Sequence, residues 1–217
     1  WHDKPDTARK AMNRMNLTFK NAAALGLDVD LQAVMKAQAL LGKRRHEVQH
    51  IPSLPYQKAP AFYKWLGEKP FVSALALRFL ILTVARTSEV RFATFDEISN
   101  EVWVIAPKRT KNGKEHRIPL SDEAMSIVEQ ARSSKEQALL FPSARGNPIS
   151  DATMSGFMKR EGYQARPHGF RATFRTWVEE TTDTQFEVKE SALGHQVGSD
   201  VERAYQRSDL LEKRRAL

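Results

Sequence analysis

The sequence predicts an α+β fold that is mainly helical and contains one small antiparallel sheet. Apolar residues recur at helical spacing along most of the 217-residue chain. The segment EVWVIAPKRTKNGKEHRIPLS differs, because two β-rich runs flank Asn112-Gly113, a dipeptide that is a strong signal for a hairpin. A chain of this length can form one sizeable core, or a core with a smaller appended unit.

The N-terminal part reads as two helices followed by a linker. An amphipathic helix is predicted over residues 7–25 and ends at Gly26, and a second helical piece, LQAVMKAQALL, ends at Gly42. The next segment, KRRHEVQHIPSLPYQKAP, is basic and interrupted by three prolines, which is typical of a linker. We therefore predict a boundary near residue 55, with one domain at 1–55 and the other at 56–217.

The second domain should contain most of the helices and the hairpin. Its longest apolar run, residues 71–85, has 15 residues and carries Arg78, so it is too short and too charged to span a bilayer and reads as a buried core helix. The remaining helical patterns are at 61–68, 121–133, 151–161, 169–182, 185–193 and 198–206.

The amino-acid composition limits the classes of protein to which the chain can belong. An apolar content of 41% with 28% charged residues is ordinary for a globular chain. The absence of cysteine excludes disulfides and thiolate metal sites, and is compatible with the cytosol. A formal net charge of +8 predicts a surface that attracts polyanions such as nucleic acid. Because the chain begins at Trp1, we expect a segment of a longer protein.

The stretch HEVQH, residues 46–50, has the spacing of a zinc-peptidase motif. On a helix, His46 and His50 could bind zinc while Glu47 served as general base. However, the stretch follows GKRR and runs into Ile51-Pro52, and residues before a proline avoid the helical region. We therefore interpret it as part of a basic linker.

Five short motifs carry the residues of greatest chemical interest. They are TVARTSEVR with Arg86 and Glu89, RTKNGKEHRIPL with Lys111, RPHGFRATFRTW with His168 and Arg171, ALGHQ with His195, and ERAYQR with Tyr205. Together, in this order, they resemble the tyrosine recombinase family, and more narrowly the phage and integrative-element integrases. The resemblance extends from about residue 56 to the end of the chain.

The resemblance implies a site for one backbone phosphate. Guanidinium groups bind nonbridging phosphate oxygens through two parallel hydrogen bonds and keep their charge at any working pH, a role that Arg86 and Arg171 would fill. In the family, the position of His195 donates a hydrogen bond to the phosphate in the transition state. Glu89, three residues after Arg86, would hold the arginine or a neighbouring histidine in place.

The other three residues would move protons and attack. Tyr205 is implied as the nucleophile that forms a 3′-phosphotyrosine link, and His168 would help to take its proton. Lys111 would be the general acid that protonates the departing 5′ oxygen. A phenol with a pKa near 10 and an ammonium near 10.4 need neighbouring charges to work at neutral pH.

The resemblance is weaker in two places. In TVAR the chain departs from relatives that usually have glycine about two residues before the arginine. Residues 1–50 resemble only the last part of a helical core-binding domain.

Further DNA contacts are expected from the basic linker and from the hairpin; the residues are Lys43, Arg44, Arg45, Lys108 and Lys114.

The sequence thus predicts a site-specific DNA recombinase that needs no cofactor and no metal. Its partners would be double-stranded DNA attachment sites, with a homotetramer in the synaptic complex, a monomer off DNA and no membrane. The expected location is the bacterial cytoplasm, with the gene on a prophage or other mobile element. The alternatives are a DNA-binding relative that has lost catalysis, a type IB topoisomerase, and the zinc peptidase.

Overall fold

The computed structural model describes residues 4–42, 50–132, 138–198, 205 and 208–217. The chain divides into two compact units, Trp1–His50 and Ile51–Leu217. The described residues are mostly helical and include a three-stranded antiparallel sheet, which confirms the predicted fold class.

The first unit contains the two predicted helices. Helix α1 spans Pro5–Ala24 and α2 spans Ala33–Leu41. Proline fits the first turn of a helix because its fixed φ is already helical and the N–H it lacks would have no partner there. Gly26 and Gly42 follow the two helix ends with φ values of +78° and +71°, a left-handed region that glycine enters without steric cost.

The second unit contains eight helices among the described residues. They are α3 (Ala59–Gly67), α4 (Val72–Thr83), α5 (Thr87–Arg91), α6 (Asp122–Arg132), α7 (Thr153–Arg160), α8 (Phe170–Thr181), α9 (Phe186–Ala192) and α10 (Leu211–Arg214). Helices α5 and α10 were not predicted, because one turn of helix is too short to show a period. Most of the helix predicted at 198–206 lies outside the described residues.

Helix α4 is the centre of the core, which confirms the interpretation of the longest apolar run. Leu77, Phe79 and Leu80 are fully buried. The ring of Phe79 packs against Trp103 of the sheet and against Phe141, with centroids 5.2 and 5.5 Å away. The one charged side chain on this helix, Arg78, points away from the core and forms an ion pair with a carboxylate of α6. The second unit is therefore built around a helix that is apolar on nearly every side.

The sheet contains the predicted hairpin and one strand more. Strands β1 (Ile98–Ser99), β2 (Val102–Ile105) and β3 (His116–Pro119) pair in the order β1-β2-β3. Ile105 opposes His116, so the Asn112-Gly113 pair lies within a longer connection, residues 106–115, and does not form a two-residue turn. The tight turn is instead Asn100-Glu101, where both residues have positive φ and join β1 to β2.

The segment 51–55, predicted as linker, packs on the second unit. The backbone N–H of Arg166 donates to the Pro52 carbonyl at 3.0 Å, and the hydroxyl of Thr173 donates to the Leu54 carbonyl at 2.5 Å. A Cβ on Gly169 would lie only 2.3 Å from the Pro52 oxygen. The close approach requires glycine there, and it fixes this segment against the first turn of α8.

Two other predictions concern what the chain lacks. Within the described ranges, no helix has both the length and the hydropathy that a bilayer crossing needs. The same residues contain no cluster of three or more His, Cys, Asp or Glu with the geometry of a metal site. His46 and Glu47 of the zinc alternative lie outside the described residues, as do Lys43, Arg44 and Arg45.

Candidate active site

Arg86 is fixed by a buried carboxylate one helical turn away. It occupies the N-cap of α5, where its backbone N–H donates to Oε2 of Glu89 at 2.6 Å and its Nη1 donates to Oε1 at 2.9 Å. Glu89 is only 1% exposed. A carboxylate that accepts from both the backbone and the side chain of one residue sets the direction of that guanidinium and compensates its charge.

Arg171 bridges the ends of two helices. It is buried in α8 and donates from Nη1 to the Val84 carbonyl at 2.6 Å and from Nη2 to the Leu193 carbonyl. Both carbonyls lie at helix C-termini, where the helix dipole favours a cation. Burial, and then the charge of Arg86, lowers the pKa of Arg171 to about 10. At neutral pH this guanidinium therefore remains charged.

The two guanidiniums converge on the end of α9. Arg86 donates from Nη2 to the Gly194 carbonyl at 3.3 Å, beside the Leu193 carbonyl that accepts from Arg171. Arg171 Nη2 also lies 3.1 Å from Nε2 of His195. Three of the residues singled out in the sequence, Arg86, Arg171 and His195, therefore meet at one place although 109 positions separate the first from the last.

A helix-ending motif places His195. Gly194 has φ +61°, its N–H donates to Ser191 O, and the N–H of His195 donates to Glu190 O, both at 2.9 Å. These two bonds form a Schellman motif, which folds the chain back over the last turn of the helix. As a result, Nδ1 of His195 lies 2.7 Å from Oε2 of Glu190. Sequence reasoning missed Glu190, although the glycine in ESALGH was the signal that could have revealed it.

His168 lies in the turn that precedes α8, near the same positive charges. Its side chain reaches solvent, yet partial burial lowers its pKa below the ordinary value. The charges of Arg171, Arg86 and Lys111 lower it further, in that order. His168 is therefore neutral at neutral pH and can accept a proton.

Lys111 lies in the connection between β2 and β3, which is tied to the site at two points. Nη2 of Arg109 donates to the carbonyl of Glu89 at 2.5 Å, and Nδ2 of Asn112 donates to the Gly194 carbonyl at 3.5 Å, a long bond. The lysines of this connection are exposed; they are Lys108, Lys111 and Lys114. The connection thus holds an exposed amine beside the arginine pair.

His116, at the start of β3, was missed in the sequence. Burial, followed by the charge of Arg214, lowers its pKa to about 4; Glu89 opposes the shift, and Arg86 and Arg171 add to it. The residue is therefore a neutral imidazole held between cations. Nothing in the spacing of the sequence distinguishes it from a surface histidine of a strand.

Tyr205 is largely exposed to solvent. Its backbone is helical and 84% of the residue is exposed. Three positions later in the sequence, Ser208 and Asp209 line a polar cavity of about 170 Å³ together with Arg86 and His195. None of the contacts described above for the other candidate catalytic residues includes the phenol.

The tail after Tyr205 docks on its own chain. Ser191 of α9 donates its hydroxyl hydrogen to the Asp209 carbonyl at 2.9 Å. Arg214 of α10 is buried and donates from Nη1 to the carbonyl of Arg117 in β3 at 2.6 Å.

Comparison with known proteins identifies relatives of the chain. Residues 53–211 match the model of the phage integrase family. Two prophage integrases of Escherichia coli, IntZ and IntA, are 31% and 28% identical over 98% of the chain. The chain spans 54% and 52% of the lengths of these two relatives.

Solved structures of low sequence identity have the same fold. A lambda integrase dimer bound to a COC′ core site superposes with a TM-score of 0.64 at 16% identity, over 95% of this chain and 76% of that one. The Tn1549 transposon integrase in complex with circular intermediate DNA gives 0.61 at 14% identity, over 92% of this chain and 78% of that one.

Proposed function

Because the chain belongs to the phage integrase family, we propose that it cleaves and rejoins DNA strands at specific sites through a covalent 3′-phosphotyrosine intermediate. The observation that carries the proposal is the convergence of two guanidiniums on successive carbonyls at the end of α9, Arg86 on Gly194 and Arg171 on Leu193. Two fixed cations at one place suit a phosphodiester, whose charge grows in the transition state.

Arg86 and Arg171 would bind the nonbridging oxygens of the scissile phosphate. Each guanidinium has five N–H donors, and the bonds described above leave some of them on both residues for a ligand. Their support comes from Glu89 and from helix-end carbonyls, so they are oriented before DNA binds. A preoriented cation needs no reorganisation when the reaction occurs.

Tyr205 would attack phosphorus, and the bond from phosphorus to the 5′ oxygen would break. The phenolic proton passes to His168, whose lowered pKa keeps it neutral and able to accept. The ammonium of Lys111 gives a proton to the departing 5′ oxygen. Rejoining reverses these steps with a second 5′ hydroxyl, so the energy of the broken bond is retained in the phosphotyrosine and no cofactor is consumed.

The proposed partners are two DNA attachment sites and three further copies of the chain. Support comes from the net charge of +8 and from the exposed lysines of the β2–β3 connection, Lys108 and Lys114. A lambda integrase tetramer bound to a Holliday junction has the same fold, with a TM-score of 0.65 at 16% identity. The relatives come from a bacterium, and we place this protein in the bacterial cytoplasm, as a monomer off DNA.

A nicked suicide duplex tests the proposal. The duplex carries the junction sequence at an end of the genetic element that encodes the chain, and its nick lets the cleaved 5′ end diffuse away. We expect a covalent protein–DNA band on a denaturing gel, lost in Tyr205→Phe. Tyr163→Phe is the matched control, because it removes a hydroxyl from a ring that packs on Phe62 and Trp65, and it should keep the band.

Three outcomes would contradict the proposal. Binding of the duplex with no covalent band in the unmodified chain would indicate a relative that has lost catalysis. A band that persists in Tyr205→Phe would place the nucleophile elsewhere. Relaxation of supercoiled plasmids that lack the junction sequence would favour a type IB topoisomerase.

A further inference from the structure

We propose that Glu190 is a positioning residue that enables His195 to carry a proton on both ring nitrogens and so donate a hydrogen bond to the phosphate. The inference rests on the proposed function, since it concerns the same phosphate. It adds to that site a carboxylate that none of the sequence motifs had indicated.

The contacts of His195 define which nitrogen carries the proton when no phosphate is bound. A guanidinium has donors only, so Nε2, 3.1 Å from Nη2 of Arg171, must accept. A carboxylate has acceptors only, so Nδ1, 2.7 Å from Oε2 of Glu190, must donate. The imidazole is therefore neutral with its hydrogen on Nδ1, and Nε2 has none to give.

A bound phosphate reverses the requirement at Nε2. Phosphate oxygens are acceptors, and a phosphate oxygen that takes the place of the Arg171 N–H at Nε2 presents an acceptor there in place of a donor. To donate there, His195 must take a proton from solvent while it keeps the hydrogen on Nδ1. The imidazolium would form beside the charge of Arg171, and Glu190 supplies the adjacent negative charge that offsets this repulsion.

Glu190 is itself held in place from the opposite side. Nε of Arg175, in α8, donates to Oε1 of Glu190 at 2.9 Å, and Nη1 of Arg175 donates to Glu179. Nζ of Lys189, which is buried, donates to Glu179 at 2.9 Å. The side chain of Glu190 is 15% exposed. Its two oxygens therefore have different partners, one towards Arg175 and one towards His195, and this fixes the carboxylate plane.

The charged and titratable groups closest to His195 come from five elements. Arg171 is in α8, Glu190 in α9, His168 in the turn before α8, and Arg86 at the start of α5 donates to the adjacent Gly194 carbonyl. His116 of β3 borders Gly194. Of these five, Glu190 is the only anion, and it contacts the imidazole directly. The polar cavity that His195 lines has three further anions at its border, which are Glu115, Glu187 and Asp209.

The test is the pH dependence of cleavage in Glu190→Gln. The amide can still accept from Nδ1 but has no charge, so a doubly protonated His195 loses its counter-ion. With the suicide duplex, we expect cleavage by Glu190→Gln to be about tenfold slower at pH 8 and the difference from the unmodified protein to shrink towards pH 6. Glu180→Gln, which removes an exposed carboxylate of α8, should leave the profile unchanged.

A double-mutant cycle separates positioning from a general loss of structure. In a His195→Gln background, Glu190→Gln should change the cleavage rate by less than about twofold, which is close to measurement error. The reason is that the group through which Glu190 acts is absent. An equal loss in both backgrounds, or one that does not vary with pH, would overturn the proposal.

A second measurement needs no DNA and no activity. Long-range ¹H–¹⁵N spectra of the histidine rings, with the signals of His195 identified by their absence in His195→Gln, report which nitrogen carries the hydrogen. We expect the Nδ1–H form in the free protein; the Nε2–H form would overturn the role given to Glu190. If the unmodified chain gives no covalent complex, the proposed function fails, and this spectrum decides separately on Glu190.

Discussion

The two helix ends that meet at Arg171 both contain a left-handed residue, but the residue is valine at one end and glycine at the other. At the end of α4, Val84 is left-handed, with φ +51° and ψ +18°, and its carbonyl accepts from Arg171. At the end of α9, Gly194 is left-handed with φ +61°, next to the Leu193 carbonyl that also accepts from Arg171. Glycine adopts this conformation freely, whereas a β-branched residue is strained in it.

The difference shows when a left-handed position needs glycine. A Cβ on Gly194 would lie 3.3 Å from Nε2 of His116 and 3.4 Å from Nη1 of Arg86, so a side chain there would be crowded as well as strained. Val84 instead is 6% exposed and lines an apolar cavity of about 440 Å³. Its packing offsets the backbone strain, so a valine can occupy this position before Arg86.

The largest expected effect comes from breaking the link between the two ends. Arg171→Lys replaces a fork that reaches both carbonyls by a single ammonium. We expect strand cleavage to fall at least about 100-fold and the free energy of unfolding to fall by about 3 kcal/mol. The measurements are the covalent band and urea denaturation.

Arg91→Lys is the control for this loss, because Arg91 lies outside the site and donates to one carbonyl, that of Ile149, at 2.6 Å. If Arg171→Lys lowered the free energy of unfolding no more than Arg91→Lys does, bridging α4 and α9 would contribute no more to stability than one ordinary bond from an arginine to a carbonyl.

An effect of intermediate size is expected on the stability of the chain in acid. It depends on His116, which borders Gly194 at the end of α9. The pKa of His116 is about 4 in the folded chain and about 6.5 in the unfolded chain. Above pH 6.5 the imidazole is neutral in both states. As the pH falls from 6.5 towards 4, only the unfolded chain gains a proton, so stability is lost through this window, by an amount of order 2 kcal/mol.

Urea denaturation at several pH values checks this prediction in His116→Gln, which should lose less stability than the unmodified chain between pH 6.5 and 4. The same substitution at the exposed His50 serves as control. Parallel curves for the unmodified chain and His116→Gln would show that another group causes the acid sensitivity.

The smallest expected effect is an inverted order of stability between two variants at Val84. Alanine normally stabilises a helical segment more than glycine does. At a left-handed position the order should invert, and we expect Val84→Gly to be more stable than Val84→Ala by about 1 kcal/mol. Val84→Gly also loses the buried Cβ that Val84→Ala keeps, so a glycine variant that is the more stable of the two in urea denaturation would show that relief of backbone strain exceeds this loss of packing.

Gly194→Ala provides the reference for that measurement, because strain and crowding act together there and the loss should exceed the difference at Val84. If Val84→Ala were the more stable variant at position 84, the backbone strain at this turn would be smaller than the packing energy of one buried Cβ.

Much of the fold could be predicted because its signals are local. The helices with several turns appear in the apolar spacing, and Gly26 and Gly42 mark two ends correctly. The tight turn at Asn100-Glu101 was missed because glutamate rarely adopts positive φ, while the stronger dipeptide, Asn112-Gly113, lies in a longer connection. The packing of 51–55 depends on a contact with Gly169, more than 100 positions away, which no local pattern reports.

The same distinction between local and long-range signals applies to the candidate active site. Residue types that bind phosphate or transfer protons could be recognised in the sequence as a set, and Arg86, Arg171 and His195 do lie together. Glu89 was recognised as a supporting partner because it is close to Arg86 in sequence, whereas Glu190 and His116 were missed because their roles arise from the turn at the end of α9 and from burial. Chemistry that a residue performs with its own functional group is visible in a sequence; chemistry imposed by neighbours becomes visible only in the fold.

The docked tail limits how far Tyr205 can lie from the polar cavity. Ser208 borders that cavity and Asp209 is bonded to α9, and three residues of extended chain span at most about 11 Å. The Cα of Tyr205 therefore lies within that distance of the Cα of Ser208. For the nucleophile that we propose, a connection this short keeps the local concentration of the phenol in the millimolar range or above, so that its approach to a bound phosphate would be a matter of rotation and not of diffusion.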